Sequence, residues 1–291
     1  MENNKIDPSP TDINKIEKYL QDTVFINGIP KIIHQTWKTK DVPDHWKISQ
    51  GEWLRLHPDW KYILWTDDMI EEYINKYYPQ YITMFKEFPY AIQRVDTIRY
   101  FLLRDFGGVY SDLDIVPLKS LNTYKFINSD VYVIKSANTP CCYTNAFMIS
   151  KPDIKLWSKL IDYIKKYDLP WYAIGKHLTV MTSTGPEALT RIVNNYDDNI
   201  CVLPLPLFNT SNIEEVENYK SKNKSIKNNA ILYSIPGSSW HSWDSQLINF
   251  FYMHTDLTIF LCLLFVIWII YTWRSKIYYQ KELSICTGDS Q

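Results

Sequence analysis

The chain has 291 residues, 46% apolar and 22% charged, enough for one domain with a substantial core. With 31 basic and 32 acidic residues the formal net charge is −1, which argues against the broad basic field of a nucleic-acid binder and leaves no nucleic acid among the expected partners. The five cysteines are odd in number, include the adjacent Cys141 and Cys142, and form no CxxC pair, so they fit neither a disulfide framework nor a structural zinc site.

Residues 1–28 read as a polar N-terminal arm, helical over 11–22, with no apolar run of the kind a signal peptide needs. After Pro30, Lys31–Trp37 (KIIHQTW) reads as a buried strand. A helical pattern over 44–57 ends at Pro58, Trp60–Trp65 is a second strand, and 66–87 is helical. Ala91–Asp105 is a longer helix closed by Gly107 and Gly108. The run VYSDLDIVPL (109–118) has strand character on both sides of an acidic pair. Strands are expected at 131–135 and 145–150, helices at 153–167 and 185–196, a polar loop at 209–229 and a last strand at 231–235. Strands alternating with helices predict an α/β domain over 29–250 with a mainly parallel central sheet, in which ligands sit at the carboxyl ends of strands.

From Leu257 to Trp273 the sequence carries no charge; Tyr252 lies before the run, and Tyr271 and Trp273 close it. This predicts a transmembrane helix over 254–274, followed by a short polar tail, 275–291. The expectation is a single-pass membrane protein with a C-terminal anchor in the endomembrane system. Arg274, Lys276 and Lys281 favour a cytoplasmic tail, whereas the lack of an export signal favours a cytosolic domain. The sequons at Asn209 and Asn223 do not decide between them.

The chemistry centres on Asp112-Leu113-Asp114. Two carboxylates one residue apart at a strand end can reach one hard divalent cation if the backbone bends there. A cation so held neutralises charge that grows on a departing diphosphate. A bare D-x-D is more often a solvated loop, but this one follows a helix carrying Asp96 and Arg99 three residues apart on one face. That helix is otherwise apolar, at Ile92, Val95, Ile98, Phe101, Leu102 and Leu103, so the charged pair is buried and calls for partners. Sugar hydroxyls and a phosphate would supply them. A metal-dependent phosphoester or nucleotide-sugar hydrolase is the first alternative, disfavoured because the six histidines are scattered. An inactive membrane-bound sugar-nucleotide-binding protein is the second, disfavoured because both aspartates and Arg99 are present.

Three motifs occur in order: IPKIIHQTW (29–37), Arg94-Val95-Asp96-Thr97-Ile98-Arg99-Tyr100, and Gly107-Gly108-Val109-Tyr110-Ser111-Asp112-Leu113-Asp114. In these the chain resembles glycosyltransferase family 32, which includes inositol phosphoceramide mannosyltransferases and initiating α-1,6-mannosyltransferases; weaker points of likeness carry the resemblance over roughly residues 28–245. It implies a GT-A type nucleotide-sugar-binding domain and a retaining hexosyl transfer that depends on Mn2+ or Mg2+. Asp114 would be a direct metal ligand, and Asp112 would contact the ribose or the metal through water. Asp96 and Arg99 would hold the donor sugar and its phosphate, with Arg94, Tyr110, Asn145 and Gly185 among the substrate contacts. The Trp37 segment would line the nucleobase pocket, with core packing an equal expectation for Trp37. Ser238 and Trp240 would belong to a loop closing on the diphosphate, and His241 or Asp244 could complete the metal shell. His34 is expected in the core. GDP-mannose is the favoured donor, with a UDP-hexose possible, and the acceptor is a lipid headgroup or a glycan at a membrane. Val95 departs from the small Ala usual at that position.

Overall fold

The computed structural model describes residues 9–136, 141–170, 175–196, 199–205, 207–212, 230–235, 237 and 243–287. They fall into two compact units, Met1–Trp240 and His241–Gln291.

The first unit begins with α1 (Ile16–Leu20) and a hairpin of β1 (Phe25–Ile26) and β2 (Ile29–Pro30). From residue 9 onward the segment expected as a polar arm is packed: Ile13 and Ile16 are buried in the main core. Next come β3 (Ile32–Thr36), α2 (Asp44–Leu56) and β4 (Lys61–Trp65). The helical stretch expected over 66–87 is broken into α3 (Asp67–Tyr77), a 3-10 turn at Pro79–Tyr81 and α4 (Ile82–Glu87). Pro79 has no N–H to continue the helix and pushes Tyr78 out of the helical region, to φ −137°, ψ 51°. Then follow α5 (Ala91–Asp105), β5 (Gly108–Ser111), β6 (Ile115–Pro117), β7 (Val131–Lys135), β8 (Tyr143–Ser150), α6 (Lys155–Lys166), α7 (Lys176–Ser183), α8 (Pro186–Asn194), β9 (Ile200–Leu203), β10 (Phe208–Asn212) and β11 (Leu232–Ser234). The first residues of the expected 209–229 loop are thus strand, and 213–229 lie outside the described residues.

Six strands form the main sheet in the order β4-β3-β5-β8-β7-β9. β3 is parallel to both β4 and β5, β8 is antiparallel to β5 and β7, and β7 is parallel to β9. Five strands therefore run one way and β8 alone reverses, the mainly parallel α/β sheet expected of a GT-A domain. Both faces are covered, and the side chains alternate between two cores with the period of two that a strand imposes. Ile32, Tyr110, Val131, Val133 and Met148 enter one core with α5 and α6. Ile33, Val109, Tyr132, Ile134, Phe147 and Ile149 enter the other with α2. A smaller sheet, β10-β11-β6, carries the continuation of the chain after β5. The acidic pair thus sits where the polypeptide leaves one sheet and enters another.

Two glycines set that position. Gly107, at φ +63°, ends α5 with its N–H donating to the Leu103 carbonyl at 3.1 Å, and Gly108 follows at φ +83°. A Cβ on Gly108 would stand 2.6 Å from the Ile32 carbonyl oxygen. Only glycine allows this backbone conformation and this approach of β5 to β3.

The second unit consists of α9 (Trp243–Met253) and α10 (Thr255–Thr287). The segment expected as a polar tail from 275 continues the helix to Thr287. Within α10, Ile259–Ile277 is a stretch of 19 residues, unburied, long and apolar enough to cross a membrane. At the rise of an α-helix it spans about 28 Å, close to the thickness of a bilayer's hydrocarbon core.

Gly108→Ala combines a left-handed backbone with a clash against main chain, and is expected to lower the unfolding free energy by about 2 kcal/mol or more. Thermal denaturation of the variant beside the parent checks this; an unchanged Tm would show that the β3–β5 approach can relax.

Candidate active site

β5 delivers the acidic pair through a four-residue turn. The Asp112 N–H still donates to Ala146 of β8, at 2.8 Å, as if the strand continued. The Ile115 N–H then donates to the Asp112 carbonyl at 3.0 Å and closes the turn Asp112–Ile115. Leu113 drops into the core beside α2, while both acidic neighbours stay partly exposed. Apolar inward and acidic outward at alternating positions is what a carboxylate pair sharing one small ion requires.

Behind the turn lies a buried ionic cluster. The Arg99 guanidinium, its side chain 3% exposed, contacts Asp96 Oδ1 at 2.9 Å, and its Nη1 donates to the Asn145 carbonyl at 2.6 Å. Nη1 also lies 3.4 Å from Asp112 Oδ1, and the guanidinium carbon sits 4.5 Å from the Tyr110 ring centroid. Asp96 accepts further hydrogen bonds from Asn145 Nδ2 at 3.1 Å and Thr184 Oγ1 at 3.1 Å. Protein groups thus supply the partners for which the sequence invoked a ligand. Removing one partner of such a pair strands the other's charge, at about 3–5 kcal/mol. Substitutions at Asp96 or Arg99 therefore test folding as much as function.

Burial disfavours the Arg99 cation, but Asp112, Tyr110 and Asp96 outweigh it and hold the guanidinium above its ordinary pKa. Burial pushes Asp96 up to about 6 against the pull of Arg99. It likewise raises Asp112, with Arg99 and the Tyr110 hydroxyl pulling the other way. The Tyr110 hydroxyl donates to Asp112 Oδ1 at 2.8 Å and is itself 2.9 Å from Thr36 Oγ1. Asp112 is therefore oriented on one side, with 30% of its side chain open to solvent.

Asp114 differs. Its Oδ1 is buried and has no hydrogen-bond partner among the described residues. Burial, then the Asp112 charge, push its pKa up to about 8. A buried carboxylate oxygen without a donor costs stability unless something fills its lone pairs. A divalent cation would do so and would favour the charged form of both carboxylates, so the residues present fit a metal ion.

The other sequence-stated residues separate into groups. Asn145 and Tyr110 are in the cluster. Thr184 joins it, and Gly185 lies buried behind it at the start of α8, where a Cβ would meet the Val180 carbonyl at 3.0 Å. Trp37 is half-buried, edge-on to Trp46 with ring centroids 4.7 Å apart. Arg94 is exposed and its charge acts on Asp67 rather than in the buried cluster. Ser238, Trp240 and His241 lie outside the described residues, and Asp244 stands in the first turn of α9, in the second unit. His34 is a satisfied core residue. Its Nε2–H donates to the Gly107 carbonyl and its Nδ1 accepts from Trp65 Nε1, each at 3.1 Å, and burial pushes its pKa down to about 4. Sequence reasoning missed Thr36 and Tyr100. Tyr100 donates to the Thr184 carbonyl at 2.8 Å and accepts from Asn145 at 3.3 Å. Tyr100 closes the motif at 94–100, which is its sequence signal, but the motif alone gave it no role.

The raised pKa of Asp114 makes stability depend on pH. Between 3.8 and about 8 the unfolded chain releases a proton that the native state keeps, so this group's stabilisation is lost as pH rises through that window. Asp114→Asn is expected to remove that part of the slope. Mn2+, which competes with the proton, is expected to raise the parent's Tm more at pH 8 than at pH 5, as thermal melts with and without the ion would show.

The chain matches the family described as "Glycosyltransferase sugar-binding region containing DXD motif" over residues 43–133. It is 38% identical over 222 residues to mannosyl phosphorylinositol ceramide synthase SUR1 of Saccharomyces cerevisiae, covering 76% of this chain and 54% of that protein. It is 31% identical over 265 residues to inositol phosphoceramide mannosyltransferase 3 of Schizosaccharomyces pombe, covering 86% of this chain and 67% of that protein. It thus spans about half to two thirds of the length of these relatives. Among solved structures it aligns with the PaToxG glycosyltransferase at 16% identity and a TM-score of 0.41, over 81% of this chain and 91% of that one. The three motifs, their convergence on one strand end and this similarity to the inositol phosphoceramide mannosyltransferases show that the chain belongs to glycosyltransferase family 32, the D-x-D sugar transferases.

Proposed function

We propose that the protein is a metal-dependent retaining glycosyltransferase that moves a hexose from a nucleotide sugar to a lipid headgroup or glycan acceptor. GDP-mannose is the donor most in keeping with its relatives. The observation that carries this reading is Asp114, a carboxylate with one buried, unfilled oxygen, beside a second carboxylate at the carboxyl end of β5. Asp112 and Asp114 would hold Mn2+ or Mg2+, which when bound offsets negative charge on a departing nucleoside diphosphate. Arg99 adds a fixed cation behind Asp112, in a site where no solvent reorganisation is needed to bring it to bear. Tyr110 and Thr36 fix the Asp112 carboxylate, so its orientation precedes ligand binding. The acceptor hydroxyl attacks from the face the leaving group vacates, with the leaving phosphate as its base, so the scheme assigns no nucleophile to the protein. The exposed apolar span of α10 fits a membrane anchor, which would keep the enzyme near a lipid acceptor.

The test is release of nucleoside diphosphate by the full chain in detergent, with Mn2+ and a panel of GDP- and UDP-sugars. Release from GDP-mannose is expected to require the cation and to fall by about two to three orders of magnitude in Asp114→Asn, the loss usual when one electrostatic element of a site is removed. Release that ignores the cation, or survives the substitution, would remove Asp114 from the site. Turnover of a UDP-hexose alone would reassign the donor.

The anchor has its own check. The full chain is expected to stay in the membrane pellet after alkaline extraction, and Leu264→Arg/Ile267→Arg to release it, because two charges near mid-span oppose insertion. A soluble parent chain would refute the anchor.

A further inference from the structure

The acidic turn is held from below by side chains that touch neither carboxylate. Gln35, on β3, and Ser49, on α2, are both fully buried. Gln35 Nε2 donates to the Asp112 carbonyl at 3.3 Å and to Ser49 Oγ at 3.2 Å, while its Oε1 accepts from the Tyr62 hydroxyl at 2.7 Å. The Ser49 hydroxyl donates to the Ile115 carbonyl, which Trp53 Nε1 also reaches at 3.2 Å. The direction of this chain is fixed. The Asp112 carbonyl can only accept, so the amide must present nitrogen to it, and Oε1 must then face Tyr62. The contacts fall on the first and last residues of the turn Asp112–Ile115. The Asp114 carbonyl between them accepts from the Ile235 N–H at 2.8 Å.

Core stability alone gives no reason for such a choice. A fully buried amide and hydroxyl between a strand and a helix cost more to desolvate than apolar side chains of equal volume. Here the polar atoms end on the carbonyls of the one turn that presents the acidic pair. The residue after Gln35 is Thr36, whose hydroxyl meets Tyr110 and through it the Asp112 carboxylate. Strand β3 therefore grips Asp112 twice, at its main chain and at its side chain.

We propose that Gln35 and Ser49 are positioning residues that pre-set the Asp112–Ile115 turn for cation and nucleotide binding. The proposal rests on the glycosyltransferase reading given above. Pre-setting lowers the ordering cost that binding would otherwise bear. Loss of the network lets the turn sample conformations in which the two carboxylates do not face one ion, so the cation binds more weakly. Once it is bound, the same chemistry follows.

The experiment uses the full chain in detergent with Mn2+ and GDP as probes, comparing the parent with Gln35→Met and Ser49→Ala. Leu160→Ala serves as a control, a core residue on α6 outside the site. Calorimetry reads Mn2+ binding in the presence of GDP, and GDP release from GDP-mannose is followed against Mn2+ concentration. Gln35→Met is expected to weaken Mn2+ binding about tenfold, the scale of one buried hydrogen bond. Its kcat at saturating Mn2+ is expected to stay within about threefold of the parent. Ser49→Ala is expected to shift binding the same way and decides the matter if Gln35→Met does not fold. Leu160→Ala is expected to lower Tm and leave the Mn2+ dependence unchanged. Mn2+ affinity unchanged in the folded variants, or weakened equally in Leu160→Ala, would overturn the positioning role and leave the transferase reading standing. A parent chain that neither binds Mn2+ with GDP nor releases a nucleoside diphosphate from any donor would overturn both.

Discussion

The Arg99 guanidinium is the charge around which the first unit is arranged. It cannot lose its proton at any accessible pH and it lies in the interior, so its neutralisation must be built into the fold. The partners come from separate elements: Asp96 from α5, the Asn145 carbonyl from β8, and Asp112 from the turn after β5. Because α5 runs into β5 through only Phe106 and Gly107, the helix that supplies the cation also dictates where the acidic turn begins. A displacement of α5 along its axis would carry Asp96 with Arg99 but would separate the guanidinium from the Asn145 carbonyl and from Asp112. Stability and site geometry are therefore one constraint here, and the cost of the buried charge is balanced by groups the site uses.

This coupling explains which parts could be read before the structure. The main strands and α5 were legible because their apolar residues repeat at the strand or helix period and the elements are long enough to show it. The D-x-D pair was legible because it follows, at a strand end, a helix carrying Asp96 and Arg99 that Gly107 and Gly108 close. The hairpin β1–β2, β9 and α7 were not, since two to four strand residues, or a helix such as Lys176–Ser183 with polar side chains around much of its circumference, carry no clear period. The break at Pro79 was legible in principle, from the residue itself, but was obscured by apolar residues that continue on both sides.

The site was legible to the extent that it lies in contiguous motifs. Asp96, Arg99, Asp112 and Asp114 could be placed together from spacing along one helix and one strand. Thr36, Gln35 and Ser49 could not, because their roles depend on which strand neighbours β5 and which helix covers it, and pairing of parallel strands leaves no local mark. Asn145 and Thr184 reach Asp96 from 49 and 88 residues away along the chain. Polar residues on apolar strands are ambiguous from sequence because the same residue can be a partner for a buried charge or an exposed edge.

The tyrosines show how the two demands are met at once. Aromatic residues make up 15% of the chain, 22 of them Tyr, and a Tyr ring offers a flat apolar face with a polar edge. Tyr62, Tyr100 and Tyr110 do enter the core, at 4%, 0% and 0% exposure. Yet each hydroxyl ends in the polar network: Tyr62 on Gln35, Tyr100 on the Thr184 carbonyl, and Tyr110 on Asp112. The ring contributes buried apolar area while the hydroxyl, at the far end of a side chain with only two torsions, places a donor deep in the sheet at little entropic cost. A phenylalanine at 110 would fill nearly the same volume and leave Asp112 without this donor; a serine would be too short to reach it from β5. The acidic turn owes its orientation to core residues whose polar ends happen to be at the right depth, so the high aromatic content belongs to the site through its hydroxyls more than through its faces.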